Sequence, residues 1–220
     1  MKKKITIVGF GNSITEAKTR MPDENKRWLK ILERKLSEFC ADADFTVINS
    51  GIGGNSAREA MARFDRDVLA HSPDYVLLEF GGNNNDPARP ERRVPPEEFR
   101  GLLKRFREGL PAKTKVVVIT FPPVFRDLHS YWKNPLHMEY LQSSLEKMGV
   151  EAYIKITKEF AEKSGYPLYD FHRELLELGK INGREKYTQD DGVHLTEDGN
   201  MVLAEGVFEK LKNMIKQKGI

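Results

Sequence analysis

The chain has 220 residues, 31% of them charged, and 36 basic against 33 acidic side chains leave a net charge of only +3. That balance argues against a nucleic-acid partner, and no apolar run approaches the ~20 residues of a membrane span. The single cysteine, Cys40, excludes an internal disulfide and fits a reducing, cytoplasmic compartment, while the length suits one domain over residues 1–220.

The basic start MKKK is too short for a binding arm, and the apolar run after it turns polar too soon for a signal peptide. Residues 4–10 (KITIVGF) read as a strand instead. Trp28, Ile31, Leu32, Leu36 and Phe39 recur at helical spacing and predict a helix over 25–40, with Cys40 as a packing residue at its end. A strand at 45–50 (FTVINS), a helix at 56–71 and a strand at 74–80 (DYVLLEF) follow. Next come a helix at 96–109 with Pro96 in its first turn, a strand at 115–120 (KVVVIT) and a helix at 137–164 that breaks near Gly149. Residues 167–171 (PLYDF) read as a fifth strand. Thr196 caps a last helix over 197–217, striped by Val202, Leu203, Val207, Leu211 and Ile215. Most strands are apolar at consecutive positions, as parallel strands covered on both faces require. The alternation predicts an α/β fold, one parallel sheet between helices, whose ligands bind beyond the carboxyl ends of the strands.

Those ends carry GFGNSIT (9–15), NSGIGGNSA (49–57), GGNNND (81–86), FPPVF (121–125) and DDGVHLTEDG (190–199). Two chemistries compete for the first. A dinucleotide fingerprint needs a third glycine where Ile14 stands and an acid where the second strand ends in Asn49 and Ser50. Serine catalysis needs a hydroxyl, an imidazole to take its proton and a carboxylate to orient the ring. Ser13, His194 and Asp191 supply them, with Asp190 as an alternative orienter. Donors for a developing oxyanion are available in the N–H groups of GIGG and the amide of Asn83, with Asn84 or Asn85 as alternatives. Taken alone, Ser13 reads first as a helix cap, and Asp191 and His194 shift the reading to a nucleophile.

These blocks resemble the SGNH hydrolases, also called the GDSL esterase/lipase family. Ser13 in GNSIT, Gly54 in NSGIGG, Asn83 in GGNN and His194 in DGVH match its four blocks in order over nearly the whole chain, and Trp28 fits its layout. The resemblance implies a three-layer α/β/α sandwich like flavodoxin, with about five parallel strands. It implies Ser13 as nucleophile, His194 as general base and Asp191 as orienter. The N–H groups of Ser13 and Gly54 and the Asn83 amide would form the oxyanion hole, with no metal or cofactor. The implied reaction is hydrolysis of a small-molecule ester through an acyl-enzyme. Short acetyl-type groups, as on an acetylated carbohydrate, fit best because no long apolar lid is visible. A lysophospholipase or thioesterase shares the catalytic set, and a non-catalytic carbohydrate- or acyl-binding module is the competing class. Two departures stand out: Asn12 and Asn84 occupy positions where the family usually has aspartate. Each keeps the shape and removes a charge, and both are expected to support their loops.

No histidine spacing suggests a metal. His71 is expected at a helix end, and His129 and His137 at the surface. Residues 83–99 and 121–137 are expected to shape substrate access. Phe121, Phe125, Tyr131 and Trp132 form either a wall for an acyl or sugar group or a satellite core, and Arg89, Arg92 and Arg93 are expected to be solvated.

Overall fold

Five parallel strands centre the computed structural model, which describes residues 2–18, 20–86, 89–129 and 150–217. They are β1 (Lys3–Gly11), β2 (Ala43–Gly51), β3 (Tyr75–Glu79), β4 (Lys115–Ile119) and β5 (Leu168–Tyr169), in the order β2-β1-β3-β4-β5. This is the flavodoxin-like order, in which the chain first builds one side of β1 and then the other. Between the strands run α1 (Ser13–Glu16), α2 (Trp28–Phe39), α3 (Ala57–Ala62), α4 (Phe64–Asp67), α5 (Pro96–Gly109) and α6 (Val150–Ser164). The chain then adds α7 (Phe171–Asn182) and α8 (Glu197–Gln217).

Strand side chains alternate between two apolar layers, which explains the consecutive hydrophobic positions. Ile5, Ile7, Tyr75, Leu77, Val117 and Ile119 pack with Trp28, Leu32 and Leu36 of α2 and with Leu203, Val207 and Leu211 of α8. On the opposite face, Val8, Phe10, Val76, Leu78, Val116 and Val118 meet Ala60, Phe64, Phe99, Phe106 and Tyr153. The result is the expected three-layer α/β/α architecture.

The helices predicted at 96–109 and 197–217 form over those residues, and Thr196 Oγ1 accepts the Gly199 N–H as the predicted cap. Three elements differ. The helix predicted over 56–71 is broken into α3, α4 and a 3-10 turn at Leu69–His71. The first break falls at Arg63, whose side chain turns inward to four oxygen acceptors instead of lying along a helix surface. The strand predicted over 167–171 is only two residues long, because the Asp170 carboxylate accepts the Arg173 N–H and starts α7. That helix was missed, although Phe171, Leu175 and Leu178 recur at helical spacing between a capping aspartate and Gly183. Of the helix predicted over 137–164, α6 is the described part, and residues 137–149 lie outside the described residues.

Candidate active site

β1 and β2 pair through Gly11 and Gly51, so the chain leaves both strands at one edge. There Asn12 Oδ1 accepts the Ile14 N–H at 3.0 Å and caps α1, so the capping job falls to Asn12 and Ser13 is the first residue of the turn. The Trp28 indole N–H braces the turn by donating to the Ile14 carbonyl at 3.1 Å. A Cβ on Gly51 would sit 2.2 Å from Glu16 N, so only glycine lets the end of β2 lie this close to α1.

The loop bearing Asp191 and His194 is closed by a bridge between Thr188 and Leu195 and by the Gln189 N–H donating to His194 O at 2.8 Å. Asp191 Oδ1 accepts the N–H groups of Val193 and His194 at 3.0 and 2.9 Å, which folds the carboxylate back onto the ring. Its Oδ2 lies 2.6 Å from His194 Nδ1, and His194 Nε2 lies 2.9 Å from Ser13 Oγ. A carboxylate only accepts, so Nδ1 carries the proton and the Nε2 lone pair receives the Ser13 hydroxyl. Burial pushes the Asp191 carboxyl up, but the His194 ring and the two N–H groups outweigh it and hold the group well below the usual carboxylate range. Arg20 Nη2 adds a contact of 3.0 Å to the same Oδ2. Asp190, the alternative orienter, is instead 93% exposed and faces Arg20 at 3.7 Å.

Two further predicted donors follow the ends of β2 and β3. Gly54 has a φ of +75°, the left-handed conformation that glycine adopts without strain. The preceding Gly53 N–H is committed to Glu16 Oε2 at 3.1 Å, whereas the Gly54 N–H has no acceptor among the described residues. Asn83 Nδ2 donates one hydrogen to Asn55 O at 3.3 Å and keeps a second. Asn84 is fully buried with its Oδ1 on the Ala57 N–H at 2.9 Å, and its Nδ2 has no hydrogen-bond partner among the described residues.

Arg63 joins the loops. Its guanidinium, 7% exposed, donates to Gly11 O at 3.0 Å, Ser50 O at 2.8 Å, Asn55 Oδ1 at 2.8 Å and Asp67 Oδ2 at 2.8 Å. Arg92 Nη2 donates to Gly54 O at 2.7 Å and also bonds Glu59. Arg92 is therefore no solvated arginine, while Arg89 is exposed as expected. Beneath the Ser13 turn, Glu79 ends β3 fully buried, and burial raises its carboxyl to about 7 against the opposing pull of the Thr15 and Asn12 donors.

Residues 10–202 match the GDSL-like lipase/acylhydrolase family. The chain belongs to that family. It is thereby a carboxylic ester hydrolase. An uncharacterized lipoprotein of Bacillus subtilis is 27% identical over 91% of this chain and 87% of its own length. The thioesterase 1/protease 1/lysophospholipase L1 of Escherichia coli is 24% identical over 77% of this chain and 69% of its own. An acetylxylan esterase of Geobacillus stearothermophilus is 24% identical over 75% and 71%. Among solved structures, the lipase/acylhydrolase from Enterococcus faecalis has a TM-score of 0.74 at 19% identity, covering 96% of both chains.

In this GDSL-like hydrolase several other expectations change. His129 is not a plain surface residue: burial lowers its pKa, and it feels the charges of Asp191, Asp86 and His194. It is held there because the turn before it packs on the loop bearing Asp191 and His194, the Phe125 N–H donating to Gly192 O at 2.8 Å. Phe121 belongs to the core at 3% exposure, and Phe125 lies under the Arg184 guanidinium at 5.1 Å. Tyr131, Trp132 and His137 lie outside the described residues, as do residues 87–88 of the first access loop. No metal-binding cluster and no helix long and apolar enough to cross a membrane occur among the described residues. Sequence reasoning missed Arg63, Arg20 and Glu79. Only Glu79 left a signal, as a lone acid in the apolar run YVLLEF.

Proposed function

We propose that this hydrolase is a serine esterase acting on small acyl esters, acetyl-type groups foremost, with Ser13 as nucleophile. The observation that carries the reading is the continuous row from Ser13 Oγ through His194 to Asp191, at 2.9 and 2.6 Å. Ser13 Oγ attacks the ester carbonyl as its proton passes to His194 Nε2, and Asp191 holds the ring and stabilises the imidazolium. The N–H groups of Ser13 and Gly54 and the Asn83 amide receive the charge on the carbonyl oxygen. When the intermediate collapses, the bond to the alcohol breaks and His194 returns the proton to the leaving oxygen. Water activated by the same ring then cleaves the acyl-enzyme and restores Ser13.

Similarity to a named acetylxylan esterase supports an acetylated carbohydrate as substrate. Similarity to a named thioesterase/lysophospholipase supports the lipid alternative. A panel of p-nitrophenyl esters of graded length, acetylated xylo-oligosaccharides and a lysophospholipid separates the two. Fluorophosphonate labelling that survives in Ser13→Ala, or wild-type turnover by that variant, refutes Ser13 as nucleophile, whereas a wild type that neither turns over these esters nor takes the label revives a binding module. We read residues 1–220 as one domain in a reducing compartment, on the single buried Cys40. The lipoprotein relative points to the membrane surface instead, and cell fractionation tests the difference.

A further inference from the structure

Directly beneath the turn that carries Ser13, three neutral donors converge on one buried carboxylate. Glu79 is 1% exposed, the single charged residue in β3, and its neighbour across the ladder is Ile119. Its Oε1 accepts Asn12 Nδ2 at 3.0 Å. Its Oε2 accepts Thr15 Oγ1 at 3.1 Å and, more weakly, the Asn12 N–H at 3.5 Å. Asn12 thus uses both ends of its amide: Oδ1 holds the Ile14 N–H and Nδ2 holds Glu79. A Cβ on Gly11 would sit 2.0 Å from Thr15 Oγ1 and 2.9 Å from Glu79 Oε2, so the assembly has no slack on that side.

We propose that Glu79 is a positioning residue for Ser13, and that Asn12 is its matched donor rather than a weakened form of the family's usual aspartate. The inference rests on the reading of Ser13 as nucleophile. The turn residues on either side of Ser13, Asn12 and Thr15, are both anchored to the same carboxylate. That anchoring fixes the Ser13 N–H and the direction of its Oγ toward His194. An amide at position 12 supplies the hydrogen that a carboxylate there lacks. With a carboxyl in its place, two buried acids would face each other at hydrogen-bond distance, and such a pair persists only while it shares a proton. No charged group among the described residues relieves them. From β1 comes Gly11, from the cap of α1 Asn12, from α1 Thr15 and from β4 Ile119, while Arg63 is bonded to Gly11 O and Glu16 to the Gly53 N–H.

The test compares Asn12→Asp, Glu79→Gln, the double swap Asn12→Asp/Glu79→Gln and Thr15→Val in the full chain, with Ser13→Ala as control. The readouts are kcat and KM for p-nitrophenyl acetate across neutral and alkaline pH, and the rate of Ser13 phosphonylation. Each of the first two variants is expected to lose about tenfold or more in kcat with KM nearly constant. The swap, which restores one donor amide facing one carboxylate, regains most of that loss. Asn12→Asp also acquires an alkaline loss of activity, as the shared proton leaves, that wild type and the swap do not show. Thr15→Val, nearly isosteric, removes one donor and lowers kcat about threefold or more. Wild-type kcat in Asn12→Asp at every pH, or a swap no better than the worse single variant, overturns the proposal. If Asn12→Asp, the one variant with an acidic pair, fails to fold, recovery of folded, active protein in the swap supports it. Should the swap also fail to fold, Thr15→Val decides: wild-type kcat overturns the proposal and a loss at constant KM supports it. Residual turnover in Ser13→Ala strikes instead at the serine assignment, so the two failures are distinguishable.

Discussion

Replacing Arg63 by methionine tests whether one buried cation holds the strand-end loops in register. The substitution keeps much of the apolar stem and removes four hydrogen bonds, together with the stacking of the guanidinium over Phe10 at 4.9 Å. Breaking a buried charge pair typically costs about 3–5 kcal/mol. Here two of the acceptors keep other partners: Gly11 O still receives the Ile52 N–H, and Asp67 still receives Arg66. Asn55 Oδ1 is left without its donor and Ser50 O loses one, each worth about 1–3 kcal/mol. The lower part of the range, about 3 kcal/mol, is therefore expected in urea denaturation. Activity should fall further than stability alone explains, because Asn55 O is the acceptor that aims the Asn83 amide. About a tenfold to hundredfold loss in kcat, measured where the variant remains folded, is expected. Arg63→Lys should recover little, since an ammonium cannot reproduce the planar fork. A loss below about 1 kcal/mol with kcat within about twofold of wild type refutes the reasoning.

Asp191→Asn should lower kcat by about three to four orders of magnitude, because an amide no longer dictates which ring nitrogen carries the proton. Its folded carboxyl lies below the ordinary value of about 3.9. Its contribution to stability is thus present above that pH and lost as pH falls through the folded value, so wild type and variant should converge in acid melts. Glu79 has the opposite sign: the folded carboxyl is raised to about 7, so the folded protein holds a proton that the unfolded chain releases near pH 4.3. Stability should decline between those values and level off above them, and a Glu79→Gln variant with the same decline contradicts this. Gly206→Ala sets a Cβ 2.0 Å from the Tyr169 ring, which is held by its hydroxyl on Val202 O at 3.1 Å. Overpacking of this kind costs about 1–3 kcal/mol, and an unchanged melting temperature would show that α8 gives way easily.

The sequence by itself determined the layers and the family. Consecutive apolar strand residues can be buried only between two sheets of helices, and Asp191 and His194 lie three positions apart, so their contact is a property of one short loop. Asn12 could also be seen as a departure from the family's usual aspartate. What it does there was not legible, because its partner Glu79 belongs to a different strand and becomes a neighbour only through the order β2-β1-β3. The same order makes Arg63 a clamp between Gly11 and Ser50, and this is why a helix predicted from local periodicity breaks there. Periodicity and spacing record local geometry. A buried polar group's partner is set by which strand ends the sheet brings side by side, and that belongs to the tertiary structure.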